Sequence, residues 1–434
     1  MAKRSYFQDI FSVFGSNIAV TISNLLIGIL LTRILGAAGF GIYSSILVVP
    51  LIVISLTQLG IRRSTMYHIG AGKIPEDSIV SAMVILLILT SFLTLLISGT
   101  IFLLSEYRTA DTRLIILVMV TIPLVLCNVF AGGVFLGKQE ILRANILNAG
   151  PTLVNLAFVV VFVWILKLSV LGAFLALFLG NLTMFFFVFY VIRKSYRITW
   201  KYHEKIMKSM VRLGVVFALS VFMMQLNYRV DVILLRELST LEQIGLYSLA
   251  TQISEQLWHI PSAIETIVLI RSAASNEEHL VNRTVASITR VSLLAGLAGA
   301  LIIFILAPYL IPWIFGKEFT GSVRLIQMIL PGILILILFR ILNSRLAGMG
   351  KPQIAIYTFI PALVLNILLN YLWIPAYGAM GAVWATNISY AAGTILFLVI
   401  YLRMTRMSFI ELISFRKSDF YFIHNIKRRW RTKE

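Results

Sequence analysis

The stretch T-R-I-L-G-A-A-G-F-G-I-Y-S, from Thr32 to Ser44, has a weaker copy about two hundred residues later, R-E-L-S-T-L-E-Q-I-G-L-Y-S, from Arg236 to Ser248. Each copy follows a Leu-Leu pair, Leu30-Leu31 in the first and Leu234-Leu235 in the second, and each ends in Gly-x-Tyr-Ser. The second copy lacks the Leu-Gly pair of the first and reads Leu238-Ser239-Thr240 instead. A repeated segment at this separation indicates that the chain was built from two related halves.

Two later landmarks support the repeat at nearly the same separation. Gly137–Gln139 reads G-K-Q and corresponds to Gly350–Gln353, which reads G-K-P-Q. Leu171–Ala173 reads L-G-A and corresponds to Met380–Ala382, which reads M-G-A. Each match is weak alone, but the shared spacing predicts two halves of equal topology.

The composition is that of a membrane protein. Of the 434 residues, 59% are hydrophobic and 13% charged, and the formal net charge is +19. A soluble chain would carry about a quarter charged residues. This chain has too little water-facing surface for a nucleic-acid binder, so its cations are expected beside anionic lipid headgroups. One cysteine, Cys127, excludes an intrachain disulfide.

Apolar runs long enough to cross about 30 Å of hydrocarbon recur along the whole chain. They predict an all-α polytopic membrane protein with twelve transmembrane helices, at 10–34, 40–60, 79–104, 114–136, 144–166, 170–192, 211–235, 244–270, 284–306, 323–346, 353–374 and 378–402. The first run is too long for a signal-peptide core and is expected to remain as a span.

The predicted organisation follows from these spans. Residues 1–192 form an N-lobe, 193–210 a basic linker, 211–402 a C-lobe and 403–434 a basic tail. Six spans per half place both halves the same way up, related by a pseudo-two-fold axis along the membrane normal with a central cavity between them. Most of the 37 Lys and Arg residues fall on the side of the linker and tail, which predicts cytoplasmic N- and C-termini.

The Thr32–Ser44 segment, together with the two halves of six spans, resembles the polysaccharide biosynthesis transporters. These are the O-antigen or lipid-linked oligosaccharide flippases of the multidrug/oligosaccharidyl-lipid/polysaccharide exporter superfamily. The resemblance implies that a polyprenyl-diphosphate-linked oligosaccharide is moved from the cytoplasmic to the outer leaflet of the bacterial inner membrane. It further implies alternating access of the two lobes, membrane lipids as partners, and glycosyltransferases or a polymerase of the same pathway as candidate partners.

Polar residues at membrane depth give the candidate site. In the first span Asn17, Thr21, Asn24 and Gly28 form one helical stripe, because they recur at i, i+4, i+7 and i+11. The repeat transfers this stripe to the seventh span, where it falls on Ser220, Met224, Asn227 and Asp231. Asn17, Asn24 and Asn227 are therefore predicted to line the cavity, and Asp231 is a candidate for ion coupling.

The eighth span carries the longest polar stripe. Spacings of 4, 3, 4, 3 and 4 connect Ser248, Gln252, Glu255, His259, Ser262 and Thr266. If the span is one regular helix, these side chains share one face for five turns. Gln252 is then a cavity residue, and Glu255 and His259 are further candidates for ion coupling, because carboxylates at this depth tend to mark ion or substrate routes.

Arginines supply the candidate diphosphate contacts. Within the predicted spans these are Arg229 and Arg340, and at the inner mouth they are Arg62, Arg63 and Arg271. Each candidate residue also has an alternative explanation that is purely structural. Asparagines in membrane helices often hold helices together, Asp231 and Glu255 can form architectural pairs, and arginines near a span end can snorkel or simply set the orientation.

Three functions remain to be compared. No ATP-binding loop, metal motif or catalytic triad is recognisable, so no cofactor is expected and the chain is not predicted to be an enzyme. A flippase fits the arginines, whereas a cation-coupled exporter of small amphipathic drugs from the same superfamily would fit a cavity dominated by carboxylates. A membrane polymerase or ligase would need a large catalytic outer loop, and the longest outer connection, 307–322, is short and apolar.

Overall fold

The computed structural model describes residues 6–199, 204–274 and 278–415. Within these ranges the chain is almost entirely helical and contains no strand. The helices are α1 Tyr6–Thr57, α2 Ile61–Ala71, α3 Glu76–Leu104, α4 Thr112–Gly137, α5 Ile141–Val159, α6 Ser169–Ser195, α7 Glu204–Leu238, α8 Leu241–Ser254, α9 His259–Ala274, α10 Glu278–Phe315, α11 Thr320–Gly348, α12 Gln353–Tyr377, α13 Ala379–Thr405 and α14 Phe409–Ile413.

Glycine and capping residues mark a break in one helix and the starts of two others. The long α1 is kinked at Gly36, whose φ of 67° and ψ of −176° are not helical. Asp111 caps α4 by accepting a hydrogen bond from the backbone N–H of Arg113 (2.9 Å). Ser408 and Glu411 form a reciprocal capping box at α14.

Nine helical segments in the described ranges are long and apolar enough to cross a membrane. The first, Ser12–Ala71, has 60 residues, a contour of about 90 Å at 1.5 Å per residue, which suffices for two crossings. The predicted seventh and eighth spans are not among the nine. The seventh corresponds to α7, which carries Arg229 and Asp231, and the eighth is divided between α8 and α9. The count of twelve therefore stays a prediction.

The exposed surface of the helices is rich in large apolar side chains. Phe92, Leu104 and Trp313 are each at least two-thirds exposed. A soluble protein rarely leaves contiguous apolar surface of this kind uncovered. These faces suit hydrocarbon, as the sequence predicted for a polytopic membrane protein.

The chain divides into two compact units, Met1–Gly245 with Pro312–Phe319, and Leu246–Ile311 with Thr320–Glu434. The first unit thus contains α7, and it also contains the last turn of α10 together with the short segment that precedes α11. The predicted linker at 193–210 is partly helical, because α6 continues to Ser195 and α7 begins at Glu204. In the predicted tail, residues 416–434 lie outside the described ranges.

Each unit has its own core. In the first, α2, α3, α4 and α6 contribute buried aliphatic and aromatic side chains, including Ile79, Phe130 and Val191. In the second, the ring of Phe339 on α11 lies 4.3 Å from that of Phe359 on α12 and 4.9 Å from that of Phe397 on α13, measured between centroids. Aromatic pairs at these separations add to the free energy gained by burial.

Candidate functional site

The break at Gly36 creates a site for a distant carboxylate. Because Gly36 leaves the helical conformation, the backbone N–H of Ala37 has no carbonyl one turn earlier to receive its hydrogen bond. Glu318 supplies the acceptor, with its Oε2 3.0 Å from that nitrogen. A methyl group on Gly36 would overlap this carboxylate, so glycine is required here for both its backbone conformation and its lack of a side chain.

The two motif arginines make matching contacts. Arg33 donates to the carbonyl oxygens of Trp313 and Ile314, in the last turn of α10; its Nε lies 2.6 Å from the oxygen of Ile314. Arg236, at the corresponding position of the second copy, donates to the carbonyl oxygen of Glu106, just after α3 (3.5 Å). Each arginine therefore reaches the backbone just beyond the third predicted span of the other half, where free carbonyls collect.

Tyr107 completes the contact around Arg236. Its ring lies 5.3 Å from the Arg236 guanidinium, and its hydroxyl donates to the carbonyl oxygen of Ser45 (2.9 Å). Glu237 accepts a hydrogen bond from the backbone N–H of Glu106 (3.1 Å). Burial raises the pKa of the Tyr107 phenol, a shift that the nearby Arg236 cation opposes.

The motif glycines themselves meet. A methyl group on Gly41 would overlap the carbonyl oxygen of Leu241, and one on Gly245 would overlap that of Ala37. Each glycine thus lies against the carbonyl of the residue four positions before the other. Such reciprocity is the signature of a two-fold relation, and it confirms the repeat read from the sequence.

The polar residues predicted on α7 are deeply buried. Asn227 and Asp231, one turn apart, are both fully buried. Neither side-chain atom of the Asn227 amide has a hydrogen-bond partner within the described residues. An unpaired buried amide costs free energy. The roles predicted for these two residues, Asn227 as a cavity residue and Asp231 as a candidate for ion coupling, stay predictions.

Asn17 joins α1 to α5. Its Oδ1 accepts from Nδ2 of Asn148 (3.0 Å), which also lies 3.1 Å from the hydroxyl of Ser16. One turn away, Asn145 donates to Ser12 (2.7 Å). This ladder matches the structural interpretation of Asn17 as a link between helices. Both Asn17 and Asn24 are exposed, and the cavity-lining role predicted for them stays a prediction.

Arg62 borders a small polar cavity of about 210 Å³ in the first unit. Its Nε packs against Gly132 of α4, and the other polar side chains lining the cavity are those of Asn128, Asn148 and Asn181. Asn128 donates to Asn181 (3.4 Å), while its own Oδ1 has no partner in the described part of the chain. These three asparagines, from α4, α5 and α6, were not predicted, because nothing local links them to Arg62.

The polar stripe predicted for the eighth span does not lie on one continuous helix. A 3₁₀ turn at Glu255–Trp258 separates α8 from α9. Such a turn advances about 120° per residue instead of about 100°, so the residues after it face a different direction. Gln252 and Glu255 are half-buried and His259 is exposed, and the roles predicted for all three stay predictions.

Arg340 is held by an acidic partner that the sequence reading missed. Its Nε lies 2.6 Å from Oε1 of Glu265 on α9, and its guanidinium lies 5.5 Å from the centroid of the Trp258 ring. Both charged side chains are mostly buried, at 17% and 24% exposure. Arg340 is therefore part of a salt bridge between α9 and α11, and a contact to a diphosphate would have to compete with Glu265.

The other three arginines predicted to contact the diphosphate are Arg229, Arg63 and Arg271. Arg229 is half-buried on α7, and Arg63 is exposed on α2 next to Arg62. The side chain of Arg271 lies outside the described residues. Their predicted contacts to an anionic substrate stay predictions.

We expect Glu265→Gln to lower the free energy of unfolding by about 1–3 kcal/mol, because it removes a carboxylate that pairs with Arg340 in a mostly buried place. The exposed pair Glu204–Lys208 (2.6 Å; side chains 56% and 76% exposed) provides the control: Glu204→Gln should cost about 0–1 kcal/mol. Denaturant titration of the purified protein measures both. Equal effects of the two variants would contradict a stabilising role for the Arg340 pair.

These features define a polytopic helical membrane protein built from two related halves. The family model described as polysaccharide biosynthesis protein matches residues 6–270, more than half of the chain. The protein therefore belongs to the polysaccharide biosynthesis protein family, as its motif suggested. A second model, MatE, matches residues 217–372.

A curated relative and two solved structures are similar to the chain. The probable low-salt glycan biosynthesis flippase Agl15 of Haloferax volcanii is 24% identical over 170 residues, which cover 38% of this chain and 36% of that protein. The lipid II flippase MurJ in an inward closed conformation gives a TM-score of 0.72 at 15% identity, covering 97% of this chain and 95% of that one. An inward-facing multidrug resistance MATE family transporter gives a TM-score of 0.73 at 15% identity, covering 89% of this chain and 94% of that one.

The two structural likenesses confirm the fold, an all-helical bundle of the multidrug/oligosaccharidyl-lipid/polysaccharide exporter type. The alignment with Agl15 spans about a third of that protein's length.

Proposed function

We propose that the protein is a flippase, which moves a polyprenyl-diphosphate-linked oligosaccharide from the cytoplasmic to the outer leaflet by alternating access of its two lobes. Membership in the polysaccharide biosynthesis protein family and the partial similarity to a glycan biosynthesis flippase support the substrate class. The activity is transport and requires no catalytic step. The plasma membrane is the proposed location, with both termini in the cytoplasm, and enzymes that build or polymerise the glycan are the proposed partners.

The observation that carries the proposal is the Arg62 cavity. A guanidinium binds phosphate oxygens with paired donors, and asparagine amides both donate to and accept from sugar hydroxyls. Arg62 lines one cavity together with Asn128, Asn148 and Asn181. No carboxylate is among the described residues that line it, so an anionic group can approach without repulsion.

The second candidate is a cation-coupled multidrug exporter. The match of the MatE model to residues 217–372 favours it, as do the fully buried Asp231 and the half-buried Glu255. A cationic drug needs an accessible carboxylate in its binding site, however, and the polar cavity described above offers an arginine and amides. Transport of a cationic dye without any effect on lipid-linked oligosaccharide would support the exporter.

The test is transport by purified protein in proteoliposomes that contain a lipid-linked oligosaccharide, followed by an added glycosidase that reaches only the external leaflet. We expect Arg62→Gln to slow transport about 10- to 100-fold, since charge-assisted contacts to phosphate are lost. Arg113→Gln, at an exposed pair with Asp111 (3.2 Å), should behave as wild type. A wild-type protein that leaves the oligosaccharide on its original side would refute the proposal.

A further inference from the structure

A second and larger cavity, of about 1040 Å³, lies between α2, α3 and the beginning of α7 in the first unit. We call it the basic cleft. Its cationic side chains are Lys205, Lys208 and Arg212, and His68 lies beside them. His68 is joined to Ser209 by a hydrogen bond of 3.2 Å between Nε2 and Oγ.

The cations are placed by the helical period of α7. Lys205, Lys208, Ser209 and Arg212 recur at i, i+3, i+4 and i+7, and all four are exposed. The opposite stripe, with Met210 and Ala218, is buried against the unit. The start of α7 is thus an amphipathic helix with one basic face, which begins inside the predicted basic linker, 193–210.

The rest of the cleft is apolar. Leu86, Met207 and Val211 line it, together with Tyr67, whose ring is largely exposed. Among the described lining residues there is no carboxylate; Glu204 pairs with Lys208 from the adjacent turn, and both side chains are exposed. Exposed i,i+4 pairs contribute little free energy, so this pair can yield to a multivalent anion.

A ligand that matches these walls has an anionic head and an apolar tail. A sugar phosphate would leave the apolar walls unsatisfied, and a fatty acid would bring only one negative charge to a rim that carries three cations. A diphosphate attached to an isoprenoid chain matches both parts, because its negative charges meet the cations at the rim and its hydrocarbon is removed from water by the apolar walls.

The cleft is also close to the proposed transport site. Arg62 and His68 lie on the same helix, α2, and six residues of α-helix rise about 9 Å. The cleft and the Arg62 cavity are therefore lined from positions less than two turns apart on one helix.

We propose that the basic cleft is the entry site, which captures the diphosphate of the lipid-linked substrate before it passes to Arg62. This inference rests on the proposed function. Lys205, Lys208 and Arg212 bind the diphosphate oxygens, and the apolar wall receives the first isoprene units of the tail.

The direct test is calorimetric titration of the purified protein with geranylgeranyl diphosphate. The triple variant Lys205→Gln/Lys208→Gln/Arg212→Gln should bind about 10- to 100-fold more weakly than wild type. The matched control removes three exposed cations from the end of α6 and the segment after it, Arg193→Gln/Lys194→Gln/Arg197→Gln, and should bind within about twofold of wild type. Equal losses in the two triple variants would overturn the proposal, since net charge alone would then explain them.

Competitors identify the chemistry. Inorganic pyrophosphate should compete weakly because it lacks the tail, and excess phosphatidylglycerol should not displace the probe. Loss of geranylgeranyl diphosphate binding in the presence of excess phosphatidylglycerol would overturn the assignment, because the cleft would then be a general site for anionic lipid.

Transport separates this inference from the proposed function. In the proteoliposome assay an entry site predicts a raised KM for the cleft triple variant at an unchanged maximal rate, whereas Arg62→Gln should lower the maximal rate. If wild type transports and the cleft variant keeps the wild-type KM, the inference fails and the proposed function stands. If wild type neither binds the probe nor transports the oligosaccharide, both fail.

Discussion

Gly41→Ala is expected to abolish transport and to lower the free energy of unfolding by about 1–3 kcal/mol, the cost of overpacking a tight contact. The added methyl group would overlap the carbonyl oxygen of Leu241 and lie 3.0 Å from the backbone nitrogen of Gly245. These are backbone atoms, which cannot rotate away as a side chain would. Gly245→Ala should have the same effect, because its methyl group meets Ala37 in the reciprocal position.

The control variant for this prediction should not lower the free energy of unfolding. Gly15 lies in the same helix, α1, and a methyl group there meets nothing within 4 Å. Alanine has a higher helix propensity than glycine by about 1 kcal/mol, so Gly15→Ala should be neutral or stabilising. Thermal and denaturant unfolding measure all three variants. Destabilisation by Gly15→Ala as large as by Gly41→Ala would show that the motif contact is not the cause.

A second close contact between glycines, Gly60 with Gly214, provides a test of which side of the transporter each contact closes. Gly60, between α1 and α2, meets Gly214 of α7, where a methyl group on Gly60 would lie 2.7 Å from the Gly214 Cα atom. If the two contacts close opposite sides of an alternating-access transporter, Gly41→Ala and Gly214→Ala should hold opposite sides open. With Cys127 replaced by alanine and Asn24 by cysteine as reporter, an impermeant maleimide should label from outside in one variant and from inside in the other. Labelling from the same side in both would contradict this assignment.

The sequence predicted the features that depend on local pattern. Apolar runs gave the positions of the long helices because burial in hydrocarbon requires about 20 consecutive apolar residues. The glycine motif gave the repeat, and the repeat placed Asn227 and Asp231 on one stripe of α7, where both are fully buried.

The unpredicted features are contacts between distant segments. Glu318 caps Ala37 across 281 positions of sequence, and Glu265 pairs with Arg340 across 75. No periodicity within one helix encodes such a partner. The turn at Glu255 is a further example: the stripe of polar residues has a regular α-helical spacing, but the backbone leaves that geometry at the position where the stripe was expected to be functional.

The contact between Gly36 and Glu318 predicts a second large loss of stability, on substitution of Gly36. Gly36→Ala should lower the free energy of unfolding by about 2–4 kcal/mol from two separate causes. A side chain at φ 67° and ψ −176° is strained by about 1–3 kcal/mol, because that region is nearly restricted to glycine. In addition, the methyl group would displace the Glu318 carboxylate and remove its hydrogen bond to Ala37.

Two further variants separate these causes. Gly72 also has a positive φ, 62°, but a methyl group there meets nothing within 4 Å. Its ψ of 14° lies in the left-handed helical region, which is less costly for alanine than the nearly glycine-only region of Gly36, so Gly72→Ala gives a lower limit for the backbone strain without a clash. Glu318→Ala removes the cap alone and should cost about 0.5–2 kcal/mol. In the double variant the clash no longer exists, so its loss should be smaller than the sum of the single losses by about 1 kcal/mol, a coupling typical of residues in contact. Simple additivity in this cycle would mean that the clash with Glu318 contributes nothing, and that the cost of Gly36→Ala comes from the backbone conformation alone.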